Sequence, residues 1–261
     1  MITPILLIGA GRMGGALLDG WALAEAFAAA EIGVIDPHPG EAAARAAQRG
    51  SSLAPDPAAA KTVLLAVKPQ LWREAAAEFS SRLAPDAVIV SIAAGVRAAD
   101  LAAAFGGRRV ARVMPTTAVA IGKGVASIFA DDAEARARAQ ALFAPVARVV
   151  DLDDEGLMDA ATAVSGSGPA YLYAFVEALE AAAVTAGLLP GAAATLARAT
   201  VEGAAALMAA SGTDPAELRR QVTSPGGTTA AALDVLMGEG GLGPLLEDAV
   251  AAAVKRSREL G

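Results

Sequence analysis

The stretch Ile5-Leu6-Leu7-Ile8-Gly9-Ala10-Gly11-Arg12-Met13-Gly14 decides the fold of the first half of this chain. Four apolar residues of strand length run into a G-x-G-x-x-G motif, and apolar residues at helical spacing follow it. In this setting Gly9 permits a tight turn, Gly11 lets a pyrophosphate approach the backbone, and Gly14 allows close packing. The motif therefore predicts that residues 9–14 bind a dinucleotide, the alternative being a structural glycine turn.

Further short apolar runs repeat this plan along the chain. We predict strands at 32–35, 63–67, 88–92 and 125–129, and the run at 109–114 continues the series. Strands that alternate with helices imply a parallel sheet with right-handed crossovers. The expected fold class for this part is an α/β Rossmann-like domain with a parallel-rich sheet.

Ligands bind such sheets at the carboxyl ends of the strands. We therefore expect the loops that follow the strands to converge on the cofactor together with the glycine motif. The residues concerned are Ala66, Val67, Lys68, Pro69, Ala93, Ala94, Gly95 and Thr116. Lys68 has an equally good interpretation as a solvated charge at a strand end.

Asp36 ends the second predicted strand, about 20 residues beyond the glycines, where an acid can bind the adenine ribose and favour NAD. It could also merely start a turn with Pro37 and Pro39. Arg45 or His38 could instead meet a 2′-phosphate, so the cofactor is either NADPH or NADH. His38 is the only histidine and falls at the adenosine end, which disfavours a histidine acid at the hydride-transfer centre.

Composition narrows the class of protein. The 261 residues include no cysteine, which removes disulfides, thiolate nucleophiles and Cys-based zinc sites, and no metal site is predicted. A formal charge of −7 argues against a nucleic-acid partner. The N-terminus lacks the basic start of a secretory signal, and a cytoplasmic protein is expected.

Beyond residue 151 the strand pattern stops. The segments 170–186 and 192–210 are long, alanine-rich and almost uncharged, which predicts helices that must be buried. Gly187, Pro190 and Gly191 interrupt the uncharged run, so a membrane span is disfavoured. About 100 residues cannot bury such helices alone, so we predict a homodimer. The expected division is a dinucleotide-binding domain at 1–152 and an all-α dimerisation and substrate domain at 153–261.

A second glycine-rich loop, Thr223-Ser224-Pro225-Gly226-Gly227-Thr228-Thr229, precedes an apolar helical run. The two glycines leave backbone N–H groups uncovered at a helix N-terminus, which suits a small carboxylate. The alternative is an ordinary helix N-cap after a glycine turn.

With these motifs in order, the chain resembles the pyrroline-5-carboxylate reductase family over almost its whole length. The matching blocks are residues 8–14, Ala66-Val67-Lys68-Pro69-Gln70, Ser91 to Val96, Ala163 to Tyr171 and, most specifically, Leu218 to Leu233. The resemblance implies a Rossmann-like domain followed by a helical dimerisation domain, assembled as dimers and often as rings of five dimers. It also implies reduction of L-1-pyrroline-5-carboxylate, a cyclic imino acid, to L-proline with NAD(P)H, usually NADPH.

The resemblance also implies roles for the second loop. Ser224 and the backbone around Gly226, Gly227 and Thr228 would bind the substrate carboxylate. Thr229 would approach the ring nitrogen as the catalytic side chain.

Two departures from the family pattern stand out. The family usually has Met-Pro-Asn-Thr-Pro where this chain has Met114-Pro115-Thr116-Thr117-Ala118, so an amide and a proline are lost beside the expected nicotinamide. The usual Gly-Leu-Pro turn is lengthened to Gly187-Leu188-Leu189-Pro190, which we interpret as a surface change.

Two other functions fit parts of the pattern. One is a different dehydrogenase of the same plan, such as a β-hydroxyacid dehydrogenase, although its helical-domain lysine is missing here, since no Lys occurs between Lys123 and Lys255. The other is a nucleotide-binding or dimerisation module that has no turnover.

Overall fold

A computed structural model describes residues 2–260 and confirms the α/β plan followed by an all-helical segment. The strands are β1 Ile5–Ile8, β2 Ile32–Ile35, β3 Thr62–Leu65, β4 Val88–Ser91, β5 Val110–Pro115, β6 Gly124–Phe129 and β7 Ala147–Asp151. The first helices are α1 Arg12–Leu23, α2 Glu41–Gln48, α3 Trp72–Phe79, α4 Ala98–Ala104, α5 Ala133–Phe143 and α6 Met158–Ala161. The later helices are α7 Gly168–Thr185, α8 Pro190–Ser211, α9 Pro215–Gln221, α10 Thr228–Leu236 and α11 Leu242–Leu260.

Within the described residues, the strands form one seven-stranded sheet in the order β2-β1-β3-β4-β5-β6-β7. Neighbouring strands run parallel except β5 and β6, which pair antiparallel with Pro115 opposite Ala126. The connection between them holds only residues 116–123, too short for the dozen or more residues of a parallel crossover. An entirely parallel series was therefore wrong at this one pair, while the parallel-rich sheet is confirmed.

From β1 to β6 the sheet is buried on both faces, which is why most of these strands are nearly continuous apolar runs, whereas the edge strand β7 is largely exposed. Successive residues of β1 alternate between the faces: Ile5 and Leu7 belong to one core cluster, and Leu6 and Ile8 to the other. Residues of α1, α2 and α5 complete the first cluster, and residues of α3 and α4 complete the second. The result is a three-layer α/β domain.

Helix α1 is fixed by two contacts near its C-terminal end. The indole N–H of buried Trp21 donates to the Leu142 carbonyl of α5 at 2.8 Å. On another side, a Cβ at Gly20 would lie 2.1 Å from the Val119 carbonyl, so only glycine allows the 3₁₀ turn Thr117–Ile121 to pack this closely. This turn therefore lies alongside the glycine-motif helix.

The chain divides into two compact units, Met1–Gly166 with Ala253–Gly261, and Ser167–Ala252. The last turns of α11 belong to the first unit, where the Ser257 hydroxyl donates to the Asp159 carboxylate at 2.6 Å. Strands end at Asp151, and a π-helical turn, Thr162–Gly166, precedes α7. The functional division into 1–152 and 153–261 stays a prediction.

The helices of the second unit leave much apolar surface uncovered in the single chain. Tyr173 of α7, Leu207 of α8 and Val235 of α10 are 67%, 58% and 76% exposed, respectively. The expected burial of these helices is therefore not reached within one chain. No helix among residues 2–260 combines the length and apolar character needed to cross a membrane.

Candidate active site

The glycine motif forms a turn that only its own residues allow. Gly9 adopts φ = 95°, in the left-handed region, and its N–H donates to the Ile35 carbonyl at 2.8 Å. A Cβ at Gly9 would lie 2.7 Å from the Ala66 carbonyl, and one at Gly14 would lie 2.1 Å from the Gly9 carbonyl. The turn therefore packs directly against the end of β3, which places Ala66 and Val67 beside the motif.

Gly11 differs from these glycines because open space surrounds it. A Cβ there would meet no atom within 4 Å, and Gly11 is the N-cap of α1 without a side-chain cap. The first turn of α1 holds no acidic residue. Free backbone donors and the positive end of the helix dipole thus meet an open approach, which fits a pyrophosphate.

An open cleft of about 530 Å³ lies over this helix N-terminus. Its lining includes Ala10, Gly11, Arg12, His38, Thr117 and Ala120. The volume lies within the range of small-molecule sites, roughly 300–1,000 Å³. Thr117 belongs to the loop after β5, which was expected to converge on the cofactor, whereas sequence reasoning missed Ala120; Gly20 of α1 was the available signal for a close neighbour.

The Asp36 carboxylate is hydrogen-bonded to the glycine motif. One carboxylate oxygen accepts the Ala10 N–H at 2.6 Å, and the other accepts the His38 N–H at 2.8 Å. The carboxylate therefore starts the turn after β2 and also fixes the second residue of the motif. Both interpretations of Asp36 drawn from the sequence are thus compatible with the geometry.

The loops after β3 and β4 contain further residues that were predicted to contact the cofactor. Lys68 is exposed and precedes the 3₁₀ turn that begins at Pro69. Gly95 adopts φ = 76° after Ala93, whose N–H donates to the Ser91 hydroxyl at 3.2 Å, and Ala94 lies between them. These loops follow β3 and β4, as the sheet topology requires.

The Thr116 side chain accepts a backbone hydrogen bond that the sequence did not predict. It is 8% exposed, and its hydroxyl oxygen accepts the Val125 N–H at 3.1 Å, extending the pairing of β5 and β6. The threonine that replaces the family's asparagine thus holds its own strand end. Its role at the cofactor stays a prediction.

An ion pair that sequence reasoning missed lies behind these loops. Arg112 of β5 is 7% exposed, and its guanidinium donates to the Glu155 carboxylate at 2.8 Å. The same oxygen accepts the Ala98 N–H at the start of α4, at 2.7 Å. One carboxylate therefore joins β5, α4 and the chain just before α6.

The second loop, in the other unit, is a turn in front of an uncapped helix. The Gly227 N–H donates to the Ser224 carbonyl at 3.0 Å, with Pro225 and Gly226 between them and Gly226 at φ = 66°. Proline followed by a glycine of positive φ is typical of a type II turn. Gly227 is the N-cap of α10, and no side chain caps this helix.

The exposed backbone of this turn leaves the first donors of α10 available. Ser224, Gly226, Thr228 and Thr229 are exposed, and the first turn of α10 has no acidic residue. No side chain caps this described helix, and Gly227 as its N-cap is also compatible with the alternative drawn from the sequence, an ordinary N-cap after a glycine turn. The arrangement suits an anion.

Charged groups that could act as acids are missing from the loop itself. Residues 222–233 contain no Asp, Glu, Lys, Arg or His. Nor does any group of three or more His, Asp or Glu residues among residues 2–260 form a possible metal site. The polar side chains on this part of the chain are thus the hydroxyls of Thr223, Ser224, Thr228 and Thr229, and that of Thr223 donates to the Arg219 carbonyl at 2.6 Å.

A parallel-rich sheet with an open glycine turn at its carboxyl edge defines a dinucleotide-binding α/β domain. Two family models match the chain: "NADP oxidoreductase coenzyme F420-dependent" over residues 4–95 and "Pyrroline-5-carboxylate reductase dimerisation" over residues 155–260. The chain is 39% identical over 269 residues to the pyrroline-5-carboxylate reductase of Pseudomonas aeruginosa, covering 100% of this chain and 98% of that one. The chain therefore belongs to the pyrroline-5-carboxylate reductase family.

Solved structures agree with this assignment over the full length. A pyrroline-5-carboxylate reductase from Coxiella burnetii matches with a TM-score of 0.91 at 31% identity, covering 100% of this chain and 99% of that one. The Plasmodium falciparum pyrroline carboxylate reductase, solved with NADP bound, matches with a TM-score of 0.84 at 25% identity, covering 98% and 97%. The resemblance drawn from the motifs is confirmed.

Proposed function

We propose that this chain reduces L-1-pyrroline-5-carboxylate to L-proline, the last step of proline synthesis, using NADPH or NADH. The observation that carries the proposal is the uncapped N-terminus of α10 behind the Ser224–Gly227 turn, in a chain that also holds an open dinucleotide turn. Family membership supports it over the whole chain. Family membership and the missing helical-domain lysine disfavour a β-hydroxyacid dehydrogenase.

The residues of the first unit fit a dinucleotide. Gly9, Gly11 and Gly14 form the cradle, and Ala10, Arg12 and Met13 complete it at the start of α1. Asp36 fixes this cradle, and Ala66 to Pro69, Ala93 to Gly95 and Thr116 follow the neighbouring strands. When bound, the reduced nicotinamide supplies the hydride.

The second loop would bind the substrate's carboxylate. The backbone around Gly227 and Thr228 lies at the positive end of α10, where the Thr228 N–H is a donor and the Ser224 hydroxyl adds another, while the Gly227 N–H closes the turn. Gly226 permits the turn through its positive φ. A carboxylate held here would fix the ring's position without any buried cation.

Thr229 would donate or accept a hydrogen bond at the ring nitrogen. A protonated imine is already electrophilic at carbon, so placement and one hydrogen bond replace a strong acid. Such positioning can supply several kcal/mol of barrier lowering. The absence of ionisable side chains from residues 222–233 agrees with this division of labour.

Self-association accompanies this activity, in line with the dimerisation model matched by residues 155–260. We propose that the helical part at 153–261 forms a homodimer and that dimers can assemble further into rings. The exposed apolar side chains of the second unit support an interface there. A cytoplasmic location completes the proposal.

A comparison of two cyclic imines as substrates distinguishes recognition of the carboxylate from reduction of the imine alone. Initial rates of NADH and NADPH oxidation are compared for pyrroline-5-carboxylate and for 1-pyrroline, the same ring without the carboxylate. We expect turnover of the first and at least a roughly 100-fold lower kcat/KM for the second, since several charge-assisted hydrogen bonds are lost. Equal kcat/KM values for the two rings would reject the carboxylate cradle.

A further inference from the structure

We propose that a pocket between α1 and α2 binds a free α-amino acid that has an aliphatic side chain. The pocket has a volume of about 330 Å³, at the small end of the roughly 300–1,000 Å³ range of small-molecule sites. The site is separate from the proposed reduction, because it shares no lining residue with the cleft over the N-terminus of α1.

This α1–α2 pocket lies where both helices end. Residues between 25 and 29, after α1, line it together with Arg49 and Ser51, after α2. The Ser51 hydroxyl joins these two segments by donating to the Ala29 carbonyl at 3.0 Å. Ile32, the first residue of β2, also lines the pocket, which therefore lies at the opposite edge of the sheet from the glycine motif.

An aliphatic side chain fits the interior of the α1–α2 pocket. Leu18, Ile32 and Ala46 line it and are buried, so they offer apolar surface without polar side-chain groups. Phe27 adds an aromatic ring that is held edge-on against buried Trp21, with the ring centroids 5.5 Å apart and the planes at 85°. An apolar group that enters the pocket therefore leaves water for a lining already fixed by the core, which favours binding.

Two opposite charges line the same pocket. Glu25 and Arg49 are exposed, and within residues 2–260 neither side chain forms an ion pair or a hydrogen bond. By contrast, Arg45, one turn earlier in α2, is paired with Asp19 at 2.7 Å. A carboxylate suits an ammonium group, and a guanidinium suits a carboxylate. A free amino acid carries both of these groups beside its side chain, so its zwitterion complements the pocket.

The backbone of Glu25 supports a role for its side chain. Its φ is 49°, and it is the one residue other than glycine with a positive φ in the described part of the chain. It follows the end of α1, where a left-handed residue is usually glycine, as at Gly212 after α8 with φ = 62°. A side chain is disfavoured in this conformation, so fold stability alone favours glycine at position 25. The carboxylate beside the pocket gives this position a use that glycine lacks.

Three probes test this site by titration calorimetry on the full chain without dinucleotide or imine. They are L-leucine, 4-methylpentanoate, which lacks only the ammonium group, and 3-methylbutylamine, which lacks only the carboxylate. We expect saturable binding of L-leucine with a Kd of about 1 mM or below, the affinity open to so small a ligand. Each of the other two should bind about 10-fold or more weakly, since a charge-assisted hydrogen bond is lost.

Two variants assign the charges to their residues. Glu25→Gly suits the positive φ, so it should keep at least the wild-type melting temperature, yet weaken L-leucine binding about 10-fold and leave 4-methylpentanoate binding unchanged. Arg49→Gln should weaken the binding of L-leucine and 4-methylpentanoate by a similar factor and leave that of 3-methylbutylamine unchanged. Arg82→Gln is the matched control, because Arg82 is an exposed arginine in the turn after α3 and does not line the pocket. Its affinity for L-leucine should equal that of wild type.

Three results would overturn the proposal: no saturable binding of L-leucine up to about 10 mM, either fragment bound as tightly as L-leucine, or wild-type affinity for L-leucine in both Glu25→Gly and Arg49→Gln. Glu25→Gln replaces Glu25→Gly if the latter does not fold.

The loop before α10 is the other place where the carboxylate of L-leucine could bind, so Gly227→Val is titrated as well. Binding that is lost in Gly227→Val and kept in Arg49→Gln would assign the ligand to that loop and reject the α1–α2 pocket. Because neither imine nor dinucleotide is present, these results do not depend on whether pyrroline-5-carboxylate is turned over.

Discussion

Thr229 is the side chain on which the proposed chemistry depends most directly. It is exposed in the first turn of α10. We expect Thr229→Ala to lose one hydrogen bond to a charged or polarised nitrogen, about 1.5–3 kcal/mol, which corresponds to roughly a 10- to 150-fold lower kcat/KM for pyrroline-5-carboxylate.

The control for Thr229 is Thr185→Ala. Thr185 is also an exposed helical threonine of the second unit, and its hydroxyl donates to the Ala181 carbonyl at 3.1 Å. Its removal should leave kcat/KM unchanged. An unchanged kcat/KM in Thr229→Ala itself would remove this residue from the mechanism.

Gly227 tests the carboxylate cradle rather than the nitrogen contact. A Cβ there would lie 3.1 Å from the Ser224 carbonyl oxygen, so a larger residue both crowds the turn and covers the first N–H groups of α10. We expect Gly227→Val to raise the KM for pyrroline-5-carboxylate by about 10-fold or more, the loss of one charge-assisted hydrogen bond.

The matched substitution for Gly227 is Gly191→Val, at a position where a Cβ meets no atom of the chain within 4 Å. Thermal melts should be close to wild type for this control. A wild-type KM in folded Gly227→Val means that the carboxylate binds elsewhere.

In the turn from β1 into α1, one glycine is required for packing and another for access of the ligand. A Cβ at Gly14 would collide with the Gly9 carbonyl at 2.1 Å, whereas one at Gly11 meets nothing within 4 Å. Gly14→Ala should therefore destabilise the fold by about 1–3 kcal/mol, the usual cost of overpacking. Gly11→Ala should keep wild-type stability and weaken dinucleotide binding, as measured by denaturant unfolding and titration calorimetry.

The reverse pattern for these two glycines would contradict the account of the turn. Unimpaired dinucleotide binding by Gly11→Ala would mean that the pyrophosphate does not approach the N-terminus of α1. Wild-type stability of Gly14→Ala would mean that α1 can move away from Gly9 at little cost.

The ion pair of Arg112 and Glu155 is expected to stabilise the junction of β5 with α4. In Glu155→Gln the amide can still accept from Ala98, but buried Arg112 loses its counter-charge. Loss of one partner of a buried pair costs about 3–5 kcal/mol. Glu78→Gln, which affects the exposed pair with Arg82, should cost less than about 1 kcal/mol, and equal costs would contradict this role.

The sequence predicted elements well where local pattern decides them. The strand bounds at 5–8 and 32–35 agree with the structure, because apolar runs and the residues that follow them mark the strand ends. The strand predicted at 63–67 ends at Leu65, since its partner β1 stops at Ile8, before the turn. Strand β6 was predicted at 125–129, but its antiparallel pairing was not, because this pairing depends on the short link from Thr116.

The sequence predicted which loops form the candidate sites, but not which residues contact one another there. The glycine spacing identified both turns, yet the bond from Ala10 to Asp36 joins residues 26 positions apart. The pairs Arg112–Glu155 and Trp21–Leu142 are more distant still, at 43 and 121 positions. Such contacts follow from how the strands are ordered in the sheet, which a single sequence does not state.

For the whole molecule, the uncovered apolar side chains of the second unit imply self-association. We expect wild type to sediment as a dimer or larger assembly at micromolar concentration. Leu207→Arg places a charge on α8 where the wild-type leucine is 58% exposed, and should raise the dissociation constant at least about 10-fold, or 1.4 kcal/mol. Leu23→Arg, at a leucine 66% exposed in the first unit, should leave the assembly unchanged.

Analytical ultracentrifugation of both variants distinguishes the outcomes. An assembly lost in Leu23→Arg but kept in Leu207→Arg would place the interface on the first unit. Wild type that stays monomeric at micromolar concentration would contradict the dimerisation assigned to residues 155–260.

The proposed reaction couples dinucleotide oxidation to the formation of proline. The most direct measurement incubates the purified full-length chain with pyrroline-5-carboxylate and NADH or NADPH, and quantifies both the dinucleotide consumed and the proline formed. We predict one proline for each dinucleotide oxidised, with both dependent on the imine. Dinucleotide binding without imine-dependent oxidation, or oxidation without proline, would contradict the claim and leave a nucleotide-binding protein that does not carry out this reaction.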